Sequence, residues 1–167
     1  GNCVGIPTVG GEVAFDNCFD TNCLVDVVCV GVGKRKNLVF SEAKNPGDVL
    51  ILLGGKTGRD GIHGSSFASK DLDNVDSDRS AVQIPDPFTK KLIIEATLDA
   101  LSTGFVSGLK DLGGGGLACA LSEVSDKGNT GVEVDLNRIL LRESNMDPFE
   151  VLISESQERM LFIVKNG

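Results

Sequence analysis

The residues best able to do chemistry fall in clusters where the chain has to turn. Asp111 stands between an apolar stretch, Phe105 to Leu109, and the run Gly113-Gly114-Gly115-Gly116. A carboxylate at the carboxyl end of a strand, beside amides bared by glycine, can hold a Mg2+ that in turn binds phosphate oxygens. The ion takes hard oxygen ligands and keeps part of its water shell. An aspartate capping a glycine turn reads equally well from the residues alone. Gln83 and Asp86 form a second polar cluster before a helix start, where Asp86 is accounted for as the cap. The third is Ser154-Glu155-Ser156-Gln157-Glu158-Arg159, set between the apolar Val151-Leu152-Ile153 and Met160 to Val164. Its polar density exceeds what a solvated face needs, and a turn entering a strand is the plainer reading.

The sequence has 1 histidine, His63, which excludes a histidine-rich metal site or a pair of histidines within the chain. His63 also has the side chain whose ordinary pKa lies nearest neutrality. It sits in the loop Gly58-Arg59-Asp60-Gly61-Ile62-His63-Gly64, whose glycines permit sharp turns and close ligand approach. Arg59, Asp60 and His63 are therefore candidate loop residues beside a site, with a histidine satisfied by backbone as the alternative.

Other motifs fail on spacing. Gly54-Gly55-Lys56-Thr57 follows a strand, but the leading glycine of a phosphate loop would fall at Leu50, inside that strand. Gly31-Val32-Gly33 opens a dinucleotide fingerprint that breaks at Lys36. The stretch Lys70 to Ser80, with Asp71, Asp73, Asp76 and Asp78, lacks the glycine and closing glutamate of a calcium loop and reads as a solvated loop.

The elements that must position these clusters follow from pattern. Leu24 to Val32 reads as a buried strand, Lys34 to Asn37 as a hairpin tip or linker, and Asn45-Pro46-Gly47-Asp48 as a turn before a strand Val49 to Leu53. Asp86-Pro87 opens a helix to about Leu101 that Gly104 ends. Phe105 to Leu109 is a strand, Gly113 to Gly116 a turn, and Leu117 to Val124 a short helix. Val132-Glu133-Val134 is strand-like, Asp147 to Glu150 starts a helix with capping-box spacing, and Met160 to Val164 is a last strand. Strands and helices alternate, so the expected class is α+β or α/β, with a domain boundary near residue 45.

Composition sets the bounds. A chain of 167 residues can close one core, and 41% hydrophobic with 24% charged residues excludes collagen-like and disordered classes. A balance of 16 basic against 24 acidic residues gives −8, which repels the phosphate backbone and anionic membranes, so no nucleic-acid or membrane partner is expected. No run approaches the ~20 apolar residues that cross a bilayer. The chain starts at Gly1 without a basic-then-apolar leader, and its 5 cysteines form no Cys-x-x-Cys pair. Reduced thiols packed as small apolar residues, in a cytoplasmic protein, are the expectation.

Together, several segments resemble phosphoribosylformylglycinamidine synthase, the synthetase of the fourth step of purine biosynthesis. They are Gly1 to Gly11, Gly54 to Gly64, Val82 to Phe88, Lys110 to Gly113 and Leu152 to Met160, in the family's order and across the whole chain. The resemblance implies a module of the AIR synthase-related, PurM-like type. Residues 1–45 would be the end of a ferredoxin-like, β-rich N-terminal half, and residues 46–167 an α/β C-terminal half with a mixed sheet and flanking helices. It implies an ATP- and Mg2+-dependent ligase that activates the amide oxygen of formylglycinamide ribonucleotide (FGAR), as an iminophosphate. Ammonia from glutamine displaces that group to give the amidine (FGAM). A glutaminase subunit and a small accessory subunit would be partners, and a homodimer is allowed. Position by position, Gln83, Glu155, Ser156 and Gln157 correspond to substrate-binding residues and Asp111 to a magnesium-binding aspartate. The family usually has glycine where this chain has Pro85. Its proposed catalytic histidine and its main ATP and first magnesium motifs lie upstream, so no catalytic residue is expected here, His63 is only a loop residue near the site, and the chain alone should be inactive. Alternatives are another enzyme of the superfamily (aminoimidazole ribonucleotide synthase, thiamine monophosphate kinase, selenophosphate synthase) or a non-catalytic module that keeps the fold.

Overall fold

The computed structural model describes residues 4–21, 23–62 and 83–166. His63 and the acidic stretch Lys70 to Ser80 lie outside the described residues. The regular elements are β1 (Val49–Gly54), α1 (Pro87–Ser102), β2 (Val106–Asp111), α2 (Gly116–Gly128), α3 (Pro148–Ile153) and β3 (Arg159–Val164).

Local chemistry explains where these elements begin. The turn before β1 closes through the Asp48 N–H, which donates to the Asn45 carbonyl at 3.2 Å. At α1, Asp86 accepts from the Thr89 N–H at 3.0 Å and Pro87 takes the first turn, where its missing N–H costs nothing. At α3 the capping box is complete: Asp147 accepts from the Glu150 N–H at 2.8 Å, and Glu150 accepts from the Asp147 N–H at 2.9 Å.

The three strands form one sheet in the order β1-β3-β2, and both pairings are antiparallel. The parallel contact among the described residues is an isolated bridge between Thr57 and Leu141. β1 and β2 therefore run in the same direction and end at the same rim, where β3 begins. Gly54 faces Arg159 across one pairing and Asp111 faces Met160 across the other.

Leu117, Ala120, Leu121 and Val124 recur at helical spacing on α2 and pack against Leu161 and Ile163 of β3, with Ala43 and Leu112 completing the core. Leu50 and Leu52 join from β1, in register with Ile163 and Leu161. Burying each of these large apolar side chains stabilises the fold by about 2 kcal/mol. α1 meets β1 and buries Ile93 and Thr97. The chain joins this core from Phe40 onward: its carbonyl accepts from the Leu109 N–H at 3.2 Å, and the Ala43 N–H donates to the Val124 carbonyl at 2.8 Å.

Sequence and structure differ at several points. Leu24 to Val32 is not a strand and is not buried; Val27 and Val28 are 83% exposed and Val32 is fully exposed. An extended run becomes a strand only when a neighbour completes its ladder, and the described residues offer none. Cys18, Cys23 and Cys29 share this exposure instead of packing as small apolar residues. Lys34 to Asn37 is a single 3-10 turn without flanking strands. Val132 to Val134 is irregular and lines a cavity of about 620 Å3 beside β1, together with Leu50, Leu52 and Leu121.

Candidate functional site

At the sheet's rim an arginine is folded into the protein. Arg159, the first residue of β3, is 2% exposed. Its Nε donates to the Ser156 carbonyl at 2.8 Å, Nη2 to the Ser154 carbonyl at 2.5 Å and Nη1 to Thr57 Oγ1 at 3.0 Å. Burial pushes its pKa down to about 10, a loss that the nearby Asp60 charge only partly offsets. The guanidinium thus fixes the carbonyls of both residues that flank Glu155.

The loop 154–156 is held from its other side by the loop after β1. The Ser154 hydroxyl donates to the Gly58 carbonyl at 2.6 Å, and the Gly58 N–H donates to Ser156 Oγ at 2.9 Å. The Ser156 hydroxyl also donates to Asp60 Oδ2, and Ser156 is buried. The Glu155 N–H donates to the Asp60 carbonyl at 2.8 Å. With its backbone so fixed, the Glu155 carboxylate projects toward Gln83 and the glycine turn before α2. Oε2 accepts from Gln83 Nε2 at 2.8 Å and Oε1 from the Gly115 N–H at 3.0 Å. Gln83 makes this contact with Pro85 in place. Gln157 Nε2 folds back on the Glu155 carbonyl at 3.1 Å.

Glu158 adjusts the remaining loop. It sits at φ +59, and its carboxylate lies 2.8 Å from Lys90 Nζ and accepts from the Asp86 N–H at 3.4 Å. This ties the start of α1, and with it Gln83, to the turn before β3.

Arg59 and Asp60 turn inward. Arg59 Nε and Nη2 grip both oxygens of Glu150 at 2.7 and 3.0 Å, Nη1 approaches Glu143 at 3.3 Å, and Nη2 also donates to the Asn145 carbonyl at 2.8 Å. The Arg59 hydrogen bond holds the Glu150 carboxyl below its usual range; that of Glu143 is held down mainly by the Arg59 backbone N–H. Asp60 is 3% exposed and takes Arg142 Nη2 at 2.7 and 2.8 Å on its two oxygens. Both residues brace the loop beside Glu155.

Asp111 is the last residue of the β2 ladder, with its carboxylate largely in solvent, 3.5 Å from Lys110 Nζ. Lys110 also reaches Glu123 at 3.1 Å, the hydrogen bond that chiefly raises its pKa. Among the described residues no group of three His, Cys, Asp or Glu side chains converges as a complete metal cage. An exposed single carboxylate still suits an ion that draws its other ligands from water and phosphate.

The rim therefore gathers Gln83, Glu155 and the Gly113–Gly116 turn, with Asp111 at the start of that turn. Ser156, Arg59 and Asp60 lie behind them as supports. Arg142 and Glu143 escaped the sequence reading, which placed Glu158 and Arg159 in the polar cluster without giving them a role. The readable signal was Arg159, a charged residue opening an otherwise apolar strand.

The AIR synthase related protein C-terminal domain matches residues 45–167, a span that holds every one of these groups. The chain belongs to the AIR synthase related family. Within that family, subunit PurL of phosphoribosylformylglycinamidine synthase from Pyrococcus abyssi is 58% identical over 167 residues, covering 99% of this chain and 24% of that protein. Its counterpart from Thermococcus gammatolerans is 58% identical over 166 residues, covering 99% and 23%. Thermotoga maritima PurL complexed with FGAR has a TM-score of 0.90 and 48% identity, over 98% of this chain and 27% of that one. The same protein complexed with AMPPCP gives 0.82 and 43% over 98% and 25%. The chain thus spans about a quarter of the length of the relatives it matches.

Proposed function

We propose that this chain is part of a phosphoribosylformylglycinamidine synthase, an ATP-dependent ligase that converts FGAR and glutamine-derived ammonia to FGAM. The observation that carries this reading is the convergence of Gln83 and the Gly115 N–H on Glu155 at the sheet's rim, in a chain so similar to PurL. Structures of Thermotoga maritima PurL with FGAR, ATP and ADP support the substrate assignment.

In this reading the rim is a wall of the FGAR site. Glu155 presents carboxylate oxygens to donor groups of the substrate, and the Gln83 amide supplies both a donor and an acceptor. Gln157 lies on the same loop and extends that polar surface. Ser156 acts through its backbone and through the position it gives Glu155, because its hydroxyl is spent inside the protein. Asp111 would hold Mg2+, which when bound neutralises phosphate charge during phosphoryl transfer. The substrate amide oxygen would be phosphorylated, and ammonia would displace phosphate from the resulting iminophosphate. The rim's part in this is to hold the substrate still, which converts binding energy into rate. Arg59 and Asp60 shape the loop against which the substrate lies.

A glutaminase and a small accessory subunit would complete the enzyme; the PurLQS structure from Thermotoga maritima, 38% identical with a TM-score of 0.78, supports such an assembly. We assign the enzyme to the cytoplasm, allow a homodimer, and divide the chain at residue 45. No helix among the described residues is long and apolar enough to cross a membrane.

Calorimetry on the product of the full encoding reading frame tests the proposal. FGAR affinity should fall about tenfold or more in Gln83→Ala, the loss of one or two ligand hydrogen bonds. The response to Mg2+ should be lost in Asp111→Ala. Heats insensitive to both substitutions would identify a scaffold and overturn the reading. The 167-residue chain alone, given ATP, ammonia and FGAR, should form no FGAM; turnover would show that the chain is catalytically complete.

A further inference from the structure

We propose that Arg159 is a positioning residue that sets the specificity of this site for FGAR by fixing the Glu155 carboxylate, without touching the substrate itself. The inference rests on the reading of Glu155 as a substrate-binding residue.

The geometry is specific to that one side chain. Arg159 donates to the carbonyls of Ser154 and Ser156, the residues on either side of Glu155, and among the described residues its guanidinium donates to no other backbone group. Its third bond, to Thr57 Oγ1, anchors it in the loop that follows β1. Thr57 is fully buried and is itself fixed at both backbone ends, its N–H donating to the Leu140 carbonyl at 2.9 Å and its carbonyl accepting from the Arg142 N–H at 2.8 Å. A chain of contacts thus runs from 140–142 through Thr57 and Arg159 to the backbone carbonyls before and after Glu155.

A planar fork with fixed donors suits this task, and an ammonium on a flexible stem does not reproduce it. A buried guanidinium without a bonded carboxylate is costly to keep in a fold. Its hydrogen bonds to two carbonyls and a hydroxyl define a shape more than they supply charge pairing. Arg159 also opens β3, so the aim of Glu155 is referred directly to the central strand.

Steady-state kinetics on the product of the full encoding reading frame test the proposal with Arg159→Ala, Arg159→Lys and Glu155→Gln. Arg159→Ala should raise the KM for FGAR at least tenfold while the KM for ATP changes less than twofold. Methylguanidinium, which can refill the vacated space, should restore much of the FGAR KM. Arg159→Lys should fold and show an intermediate rise, and it decides the matter if the alanine variant is insoluble. An unchanged FGAR KM in folded Arg159→Lys and Arg159→Ala, beside a raised one in Glu155→Gln, would overturn the positioning role. So would a parallel loss for both substrates that tracks a falling Tm and resists methylguanidinium, since that pattern is plain destabilisation. If Glu155→Gln leaves the FGAR KM unchanged, the reading of the site itself fails, which is a distinguishable result.

Discussion

Gly61 shows how narrowly the position of Glu155 is specified. A methyl group at that residue would lie 2.5 Å from Glu155 Cβ and 2.6 Å from Oε2, and the φ of +67 is one that side-chain-bearing residues rarely adopt. Gly61→Ala should displace the carboxylate, lowering FGAR affinity about tenfold and stability by about 1–3 kcal/mol, as isothermal titration and urea denaturation would show. The acidic partners of Arg59 give a pH prediction. Glu143 and Glu150 have folded-state pKa values below the ordinary 4.5, so their stabilising effect is complete above that pH and is lost as the pH falls through the lowered values. Urea midpoints measured from pH 6 down to pH 2 should converge for wild type and Arg59→Met at the acid end. Gln83 and Glu155 could be singled out from sequence because each sits in a motif, and the structure brings their side chains together. Arg142 and Glu143 could not, because their roles depend on Asp60 and Arg59, partners more than 80 residues away in the chain.

The elements were legible where local chemistry decides them. Asp86-Pro87 and Asp147-Pro148 mark helix starts that the structure reproduces, since a cap and a first-turn proline act within four residues. Asp147→Ala removes one half of the capping box of α3 and should cost about 1 kcal/mol, seen as a Tm lower by about 4 °C. α2 runs past its expected end at Val124 to Gly128, where Asn129 takes a left-handed cap at φ +53. Strands behave otherwise. Val49–Gly54 and Arg159–Val164 form because each finds the other in register, whereas Val132 to Val134, equally strand-like in composition, finds no partner among the described residues and remains irregular. Pairing is a property of two segments, and composition reports only one. The turn into α2 adds a steric condition: a side chain on Gly116, at φ +56, would bring Cβ to 2.2 Å from the Ser154 carbonyl oxygen. Gly116 is thus a packing requirement, whereas a side chain at Gly113 would meet open space.

At the scale of the molecule the two ends of the chain differ. Residues 40–62 and 83–166 contain all the buried residues among those described, while Val9, Val13, Phe15 and the valines from Val25 to Val32 stand in solvent. Exposed apolar surface so extensive is the kind that marks a contact site. In the isolated 167-residue chain, amides of Leu24 to Val32 should exchange with solvent at nearly unprotected rates, while those of β3 should be the slowest; hydrogen exchange with mass spectrometry would read both. Removing residues 1–38 should leave the protection of β3 unchanged. The common rim of β1, β2 and β3 has a consequence for how this protein tolerates change. Ser156 bonds to Gly58 across 98 positions and Arg159 to Thr57 across 102, so three short segments, 57–61, 142–143 and 154–159, share one set of hydrogen bonds. Substitutions within them should not combine independently. Exchanging one segment for that of a distant relative should fail where exchanging all three together succeeds, and the three should pass between relatives as a single heritable unit.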